Sequence, residues 1–166
     1  MLKIITIIFL VALFGWYLSF LATRLDRLHH RVETSWEHLD AQLQKRAAIA
    51  LEIAHSRNLD PASGYLLTQA AYDARSANFQ ERSDAESSLS QTLNLLLESE
   101  DASNLQNPLF TELAELTLSI NRSITIHLEA VNTAKRLRKS ALVRIFHLAG
   151  HAPDPIKYSF EDEAVF

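Results

Sequence analysis

From Ile4 to Ala22 the chain runs nineteen residues, IITIIFLVALFGWYLSFLA, without one charged side chain. About 20 apolar residues, rising about 1.5 Å each, cross the hydrocarbon core of a bilayer. The run must be weighed against a cleaved signal peptide, because Met1 and Lys3 give it a short positive start. A signal's apolar region is shorter, about 7–15 residues, and ends in a small-x-small cleavage site. Cutting after Ala22 would set Phe20 three positions back, and cutting after Ser19 would set Tyr17 there. Both are too bulky. The expectation is a retained anchor over residues 1–23, with Ile4, Ile8, Leu13, Trp16, Leu18 and Leu21 in the membrane. The chain has no cysteine, which excludes a lipoprotein anchor.

The flanks set an orientation. Lys3 and the amino terminus precede the run; Arg24, Arg27 and Arg31 come after it, with only Asp26 among them. Positive residues stay cytoplasmic, so the expectation is a body inside the cell membrane with the N-terminus outside. The lack of cysteine fits a reducing compartment.

The residues beyond the apolar run suffice for one domain with its own core. The net charge of −4 gives no reason to expect nucleic-acid binding. Its distribution says more. From Glu81 to Glu129 only Arg82 and Arg122 oppose the acids, and then Lys135, Arg136, Arg138, Lys139 and Arg144 arrive together.

Three glycines and four prolines leave few helix breakers, and the prolines stand where helices begin. Leu25, Leu28, Val32, Trp36, Leu39, Leu43, Ala47, Ala50 and Ala54 repeat at spacings of three and four. That pattern keeps one apolar stripe on a nearly straight helix. It predicts that the membrane helix continues unbroken to about Asn58. Asp60-Pro61 is a cap followed by proline, and opens a second helix to about Ala77 with Leu66, Ala70, Ala74 and Ala77 on one face. Ser83-x-x-Glu86 is a capping-box pattern ahead of Leu89, Leu93 and Leu96, a third helix to about Glu98. Asn107-Pro108 opens a fourth, carrying Leu113, Leu116, Ile120, Ile124, Val131 and Ala134. The fold expected is all-α: a transmembrane helix continuous with an antiparallel up-down-up-down four-helix bundle over residues 24–149. The expected core includes Trp36, Leu39, Leu43, Leu93, Ile120, Ile124 and Val131. Residues 102–107 read as the main loop, and 150–166, with Pro153 and Pro155, as a loosely ordered tail.

In that topology the fourth helix ends near the bilayer, where the basic cluster meets the apolar run around Ile145 and Phe146. Basic residues beside apolar ones suit an anionic headgroup layer. Arg24, Arg27, Lys135, Arg136, Arg138, Lys139, Arg144 and Phe146 are therefore candidate lipid contacts. The competing interpretation has the apolar residues capping the core and the charges merely solvated.

The layout resembles that of LemA-family proteins, with an N-terminal membrane helix, a Trp-centred motif on a long first helix and a four-helix bundle. The residues that carry the resemblance are Val32, Ser35-Trp36, Leu39 to Leu43, Lys45-Arg46, Leu89 to Leu97, Asn121-Arg122 and Glu129 to Val131. His127-Leu128 stands where the family has Tyr-Asn, Lys135 where it has a second Asn, and Ala48 to Leu51 where it has a Pro-Asn pair. The chain thus resembles a divergent member. The resemblance implies a membrane-attached helical protein and no particular reaction.

Glu52-x-x-His55 is half of a di-iron bundle motif, but no second copy exists, and Asp26-x-x-His29 lies far along the same helix. His147 and His151 have zinc-like spacing, yet Gly150 interrupts the helix and no third ligand is evident. His127 reads as a hydrogen-bonded core histidine, and Lys45-Arg46 as solvated helix surface. There is no Gly-rich phosphate loop, nucleophile elbow or cysteine nucleophile. The expectation is a non-enzymatic scaffold or adaptor, without cofactor or metal, that docks a protein partner at the cytoplasmic membrane face. The rival is an exported, membrane-tethered sensory or ligand-binding bundle. No residue pattern specifies an oligomer.

Overall fold

The computed structural model describes residues 1–56, 59–78, 81–99 and 108–146. All regular structure among them is helical: α1 (Leu2–Ala54), α2 (Pro61–Ser76), α3 (Arg82–Ser99), α4 (Pro108–Arg138) and α5 (Ala141–Ile145). The expected loop at 102–107, the tail at 150–166 and the His147–His151 pair lie outside the described residues.

α1 is unbroken because its sequence holds no proline and a single glycine, Gly15. It stops at Ala54, short of the expected Asn58, which is not among the described residues. Its end tightens through a bond from Ser56 N–H to Ile53 O at 3.0 Å. Asp60 then caps α2 as predicted, its Oδ1 accepting from the N–H groups of Ala62 at 2.9 Å and Ser63 at 3.2 Å. Hydrogen bonds at Ser63 and Ala62 hold the Asp60 carboxyl below its ordinary pKa.

The capping box expected at Ser83-x-x-Glu86 is displaced from the start of the helix. α3 begins at Arg82, so Ser83 already lies inside the helix. Ahead of the helix, Asn78 Oδ1 accepts from Glu81 N–H at 3.1 Å. α4 begins at Pro108 and ends at Arg138. There the backbone breaks into an extended Ser140 (φ −63°, ψ 142°), which starts the separate helix α5.

The described residues divide into two units, 1–35 with 127–146 and 36–126. Within residues 36–126 the core gathers Leu39, Leu43 and Ile53 from α1, Leu67 and Ala71 from α2, Leu89 and Leu93 from α3, and Leu113, Ile120 and Ile124 from α4. The stripe foreseen on α1 is present but wider, for Arg46, Ile49 and Ile53 are buried beside it. Trp36, expected in the core, is only half-buried. The buried face of α2 is also turned: Gly64, Leu67, Ala70, Ala71 and Ala74 are inside, whereas Leu66 is 61% exposed. Gly64 supplies the reason. A Cβ there would meet Ala54 O at 3.0 Å, so this bare position lets α2 pack tightly on the end of α1. Leu67 stands three residues after Gly64 and points the same way, while Leu66 is rotated out.

Within residues 1–35 and 127–146, Leu21, Leu25 and Val143 form a small buried cluster, with Leu137 and Leu142 packed against it. Phe146 meets Phe14 edge-to-face, ring centroids 5.5 Å apart. α5 is thus tied to α1 by side-chain packing.

Candidate functional site

Two arrangements stand out, one in each unit. In residues 1–35 and 127–146, the apolar start of α1 is long and uncharged enough to cross a membrane, and almost none of it is buried against protein. Ile4, Ile8, Leu13 and Trp16 are exposed and Leu18 is half-buried. Leu21, at the end of the expected span, is buried in the cluster with Leu25 and Val143. Trp16 stacks on Phe20 with centroids 6.3 Å apart. Of the candidate lipid contacts, Arg24, Arg27, Arg136, Lys139, Arg144 and Phe146 are exposed, while Lys135 and Arg138 are half-buried. Among the described residues of this unit, only Asp26, Glu33 and Glu129 oppose the basic side chains. α5 and the end of α4 therefore bring apolar and basic side chains together beside the apolar part of α1.

The same unit holds His127, 2% exposed. Its Nδ1 lies 2.9 Å from Ser35 Oγ, and that hydroxyl donates to Val32 O at 2.8 Å. A hydroxyl has one proton; with it on Val32 O, Ser35 accepts from His127 Nδ1–H. Burial holds the imidazole's pKa below its ordinary value. The residue is a buried, hydrogen-bonded histidine.

Within residues 36–126 lies a buried charge network that the sequence did not announce. Arg46, read from sequence as solvated surface, is 8% exposed, and its Nη2 donates to Glu86 Oε2 at 2.5 Å. Arg82 from α3 pairs with Asp40 on α1 at 2.7 Å, donates to Ala74 O on α2 at 2.9 Å and stands 3.9 Å from Glu86 Oε1. With its amide oxygen turned toward Arg82, Gln44 accepts from both terminal nitrogens at 3.1 and 3.2 Å. Two guanidinium groups thus face two carboxyl groups. Burial pushes the Glu86 carboxyl above its ordinary pKa, against the pull of Arg46 and Arg82. Sequence reasoning placed Glu86 in a cap because the motif is local, whereas its partner lies 40 residues away.

Lys45, the neighbour of Arg46, is exposed as expected and pairs with Glu112 on α4 at 2.8 Å. Gln42 donates to Ser119 Oγ at 2.9 Å across the same two helices. Glu52 and His55 are both exposed, and His55 Nδ1 lies 2.6 Å from Leu51 O. Among the described residues no group of three or more acidic or histidine side chains is placed to hold a metal ion. What these arrangements do chemically is cross-link helices and present a basic, apolar surface. The chain matches no known family model, no curated protein and no solved structure.

Proposed function

We propose that the protein is a single-pass membrane-anchored helical bundle, LemA-like in layout, that works as a non-enzymatic scaffold at the cytoplasmic face of the cell membrane. One observation carries this reading. α1 is a single helix whose first part is apolar and exposed and whose last part is buried core, so anchor and body share one continuous element. Antiparallel passes of α1 to α4 give an up-down-up-down bundle and explain why α1 is bonded to both α3 and α4 within residues 36–126. The anchor concentrates the body at the membrane. The acidic stretch and the exposed Tyr65, Leu66 and Tyr72 of α2 supply a face for a protein partner.

The test is single-cysteine labelling, free of background because the chain contains no cysteine. Asn94 is exposed on α3, and Asn94→Cys is treated in intact cells with a membrane-impermeant maleimide. Labelling only after lysis supports the cytoplasmic scaffold. Labelling of intact cells puts the body outside and gives first place to an exported sensory or ligand-binding bundle.

A further inference from the structure

The geometry points to α5 as an interfacial wedge that inserts beside the span and recruits anionic phospholipid to the membrane face of the protein. The inference rests on α1 being a membrane span, as proposed above, and adds a second attachment with a defined lipid class.

Three observations on α5 converge. Val143, 1% exposed, pins the helix to Leu21 and Leu25, where the apolar run of α1 ends. From there the chain heads back along the span, because Phe146 meets Phe14. Phe14 lies eight residues before Ala22, about 12 Å along the helix, so the tip of α5 reaches inside the hydrocarbon layer and past its edge. At that tip Ile145 is 66% exposed and Phe146 42% exposed. Large apolar side chains left open at the level of acyl chains are placed for lipid.

The charge around the wedge selects the headgroup. Lys135 and Arg136 lie on the last turn of α4, Lys139 in the link after it and Arg144 on α5, and Arg24 and Arg27 come after the span on α1. Each Lys or Arg close to an anionic surface is worth about 1 kcal/mol. Arg144 sits between the buried Val143 and the exposed Ile145, and its long stem lets the guanidinium rise to the phosphate layer while its carbons stay in the apolar zone. Zwitterionic headgroups carry no net charge and give this rim much less to bind.

The experiment uses the full chain in vesicles of three parts phosphatidylcholine to one part phosphatidylglycerol. An environment-sensitive fluorophore is attached at Ile145→Cys, at Val11→Cys within the span, or at Leu118→Cys, which is exposed on α4. Quenching is then read from equal amounts of phosphatidylglycerol or phosphatidylcholine spin-labelled near the middle of the acyl chain. The expected result is strong quenching at 145 and little at 118, with the glycerol lipid quenching position 145 about twofold more than the choline lipid. In K135Q/R136Q/K139Q/R144Q that ratio falls to about one while quenching at position 11 persists. Quenching at 11 but not at 145 overturns the wedge and makes the basic end a surface for an acidic protein. Equal quenching at 145 by both lipids overturns the anionic assignment. Loss of quenching at 11 sinks the anchor reading beneath the inference, a separate failure.

Discussion

Arg46 and Glu86 show how much a single buried charge depends on its partner. Burial already disfavours the Glu86 carboxylate, and Arg46 is the nearer of the two guanidinium groups that oppose this. Removing one partner of a buried pair costs about 3–5 kcal/mol, because the other charge stays desolvated and unpaired. Arg46→Met is therefore expected to lower stability by about 3 kcal/mol near neutral pH. In that variant the folded pKa of Glu86 lies further above its unfolded value. Stability tied to the protonated form is present below the unfolded pKa and lost as pH rises through the folded one. The deficit relative to the parent should shrink as pH falls, and R46M/E86Q should recover much of it. Chemical denaturation at two pH values checks both; a deficit that grows on acidification contradicts the assignment. His127 works in the opposite sense. Its folded pKa is lowered, so the stability from the neutral ring is present above the ordinary histidine value and lost as pH falls below it. Melting temperatures of the parent should drop on acidification through that range, and His127→Gln should flatten the slope.

α2 displays the competition between local pattern and packing at the scale of an element. Two rows of apolar residues run along it, one through Leu66 and one through Leu67, and both include alanines of the 70–74 turn. Periodicity favours neither strongly. Gly64, close to Ala54 O, settles which row faces inward. Leu67→Ala should cost about 2–5 kcal/mol, as buried leucine truncations do, and Leu66→Ala less than about 0.5 kcal/mol. A larger loss for Leu66→Ala than for Leu67→Ala in thermal unfolding would mean that α2 is turned the other way. α5 makes a similar point from the opposite side. Its residues read as part of one apolar run after α4, but the extended Ser140 separates them and Val143 docks them onto α1. α2 and α4 were legible at their starts, and α1 and α4 over their buried rows, because caps, prolines and three-and-four spacing act within a few residues.

For the whole molecule, the segregation of charge is the feature that organises the rest. Residues 1–35 and 127–146 are basic, with few acids among them, and residues 36–126 are acidic. A retained anchor makes a direct prediction. Protein expressed from these 166 residues and recovered from membranes should keep its full 18.8 kDa and stay in the pellet after an alkaline carbonate wash. A mass short by the first twenty or so residues would identify a cleaved signal peptide instead. The salt response should separate the two attachments: high ionic strength weakens contacts of the basic rim with lipid and leaves a spanning helix in place.

The sequence by itself determined the all-helical class, the uninterrupted first helix with its apolar start, the Asp60 cap and the buried row Leu113, Leu116, Ile120 and Ile124 of α4. These arise from hydropathy, caps and spacing, which are properties of neighbours within a turn or two. The tertiary structure alone decided that Arg46 is buried while Lys45 beside it is not, that Glu86 pairs across 40 residues rather than capping its own helix, and that Leu21 packs against Val143. Those outcomes depend on which side chains from distant segments arrive at the same place. Adjacent helix positions differ by about 100° in direction, so a small rotation of the packed face moves a residue from water to core. Local sequence does not encode that rotation. It is fixed by the fit between helices, through a bare Gly64, a Val143 on a five-residue helix and two arginines that must each find a carboxylate.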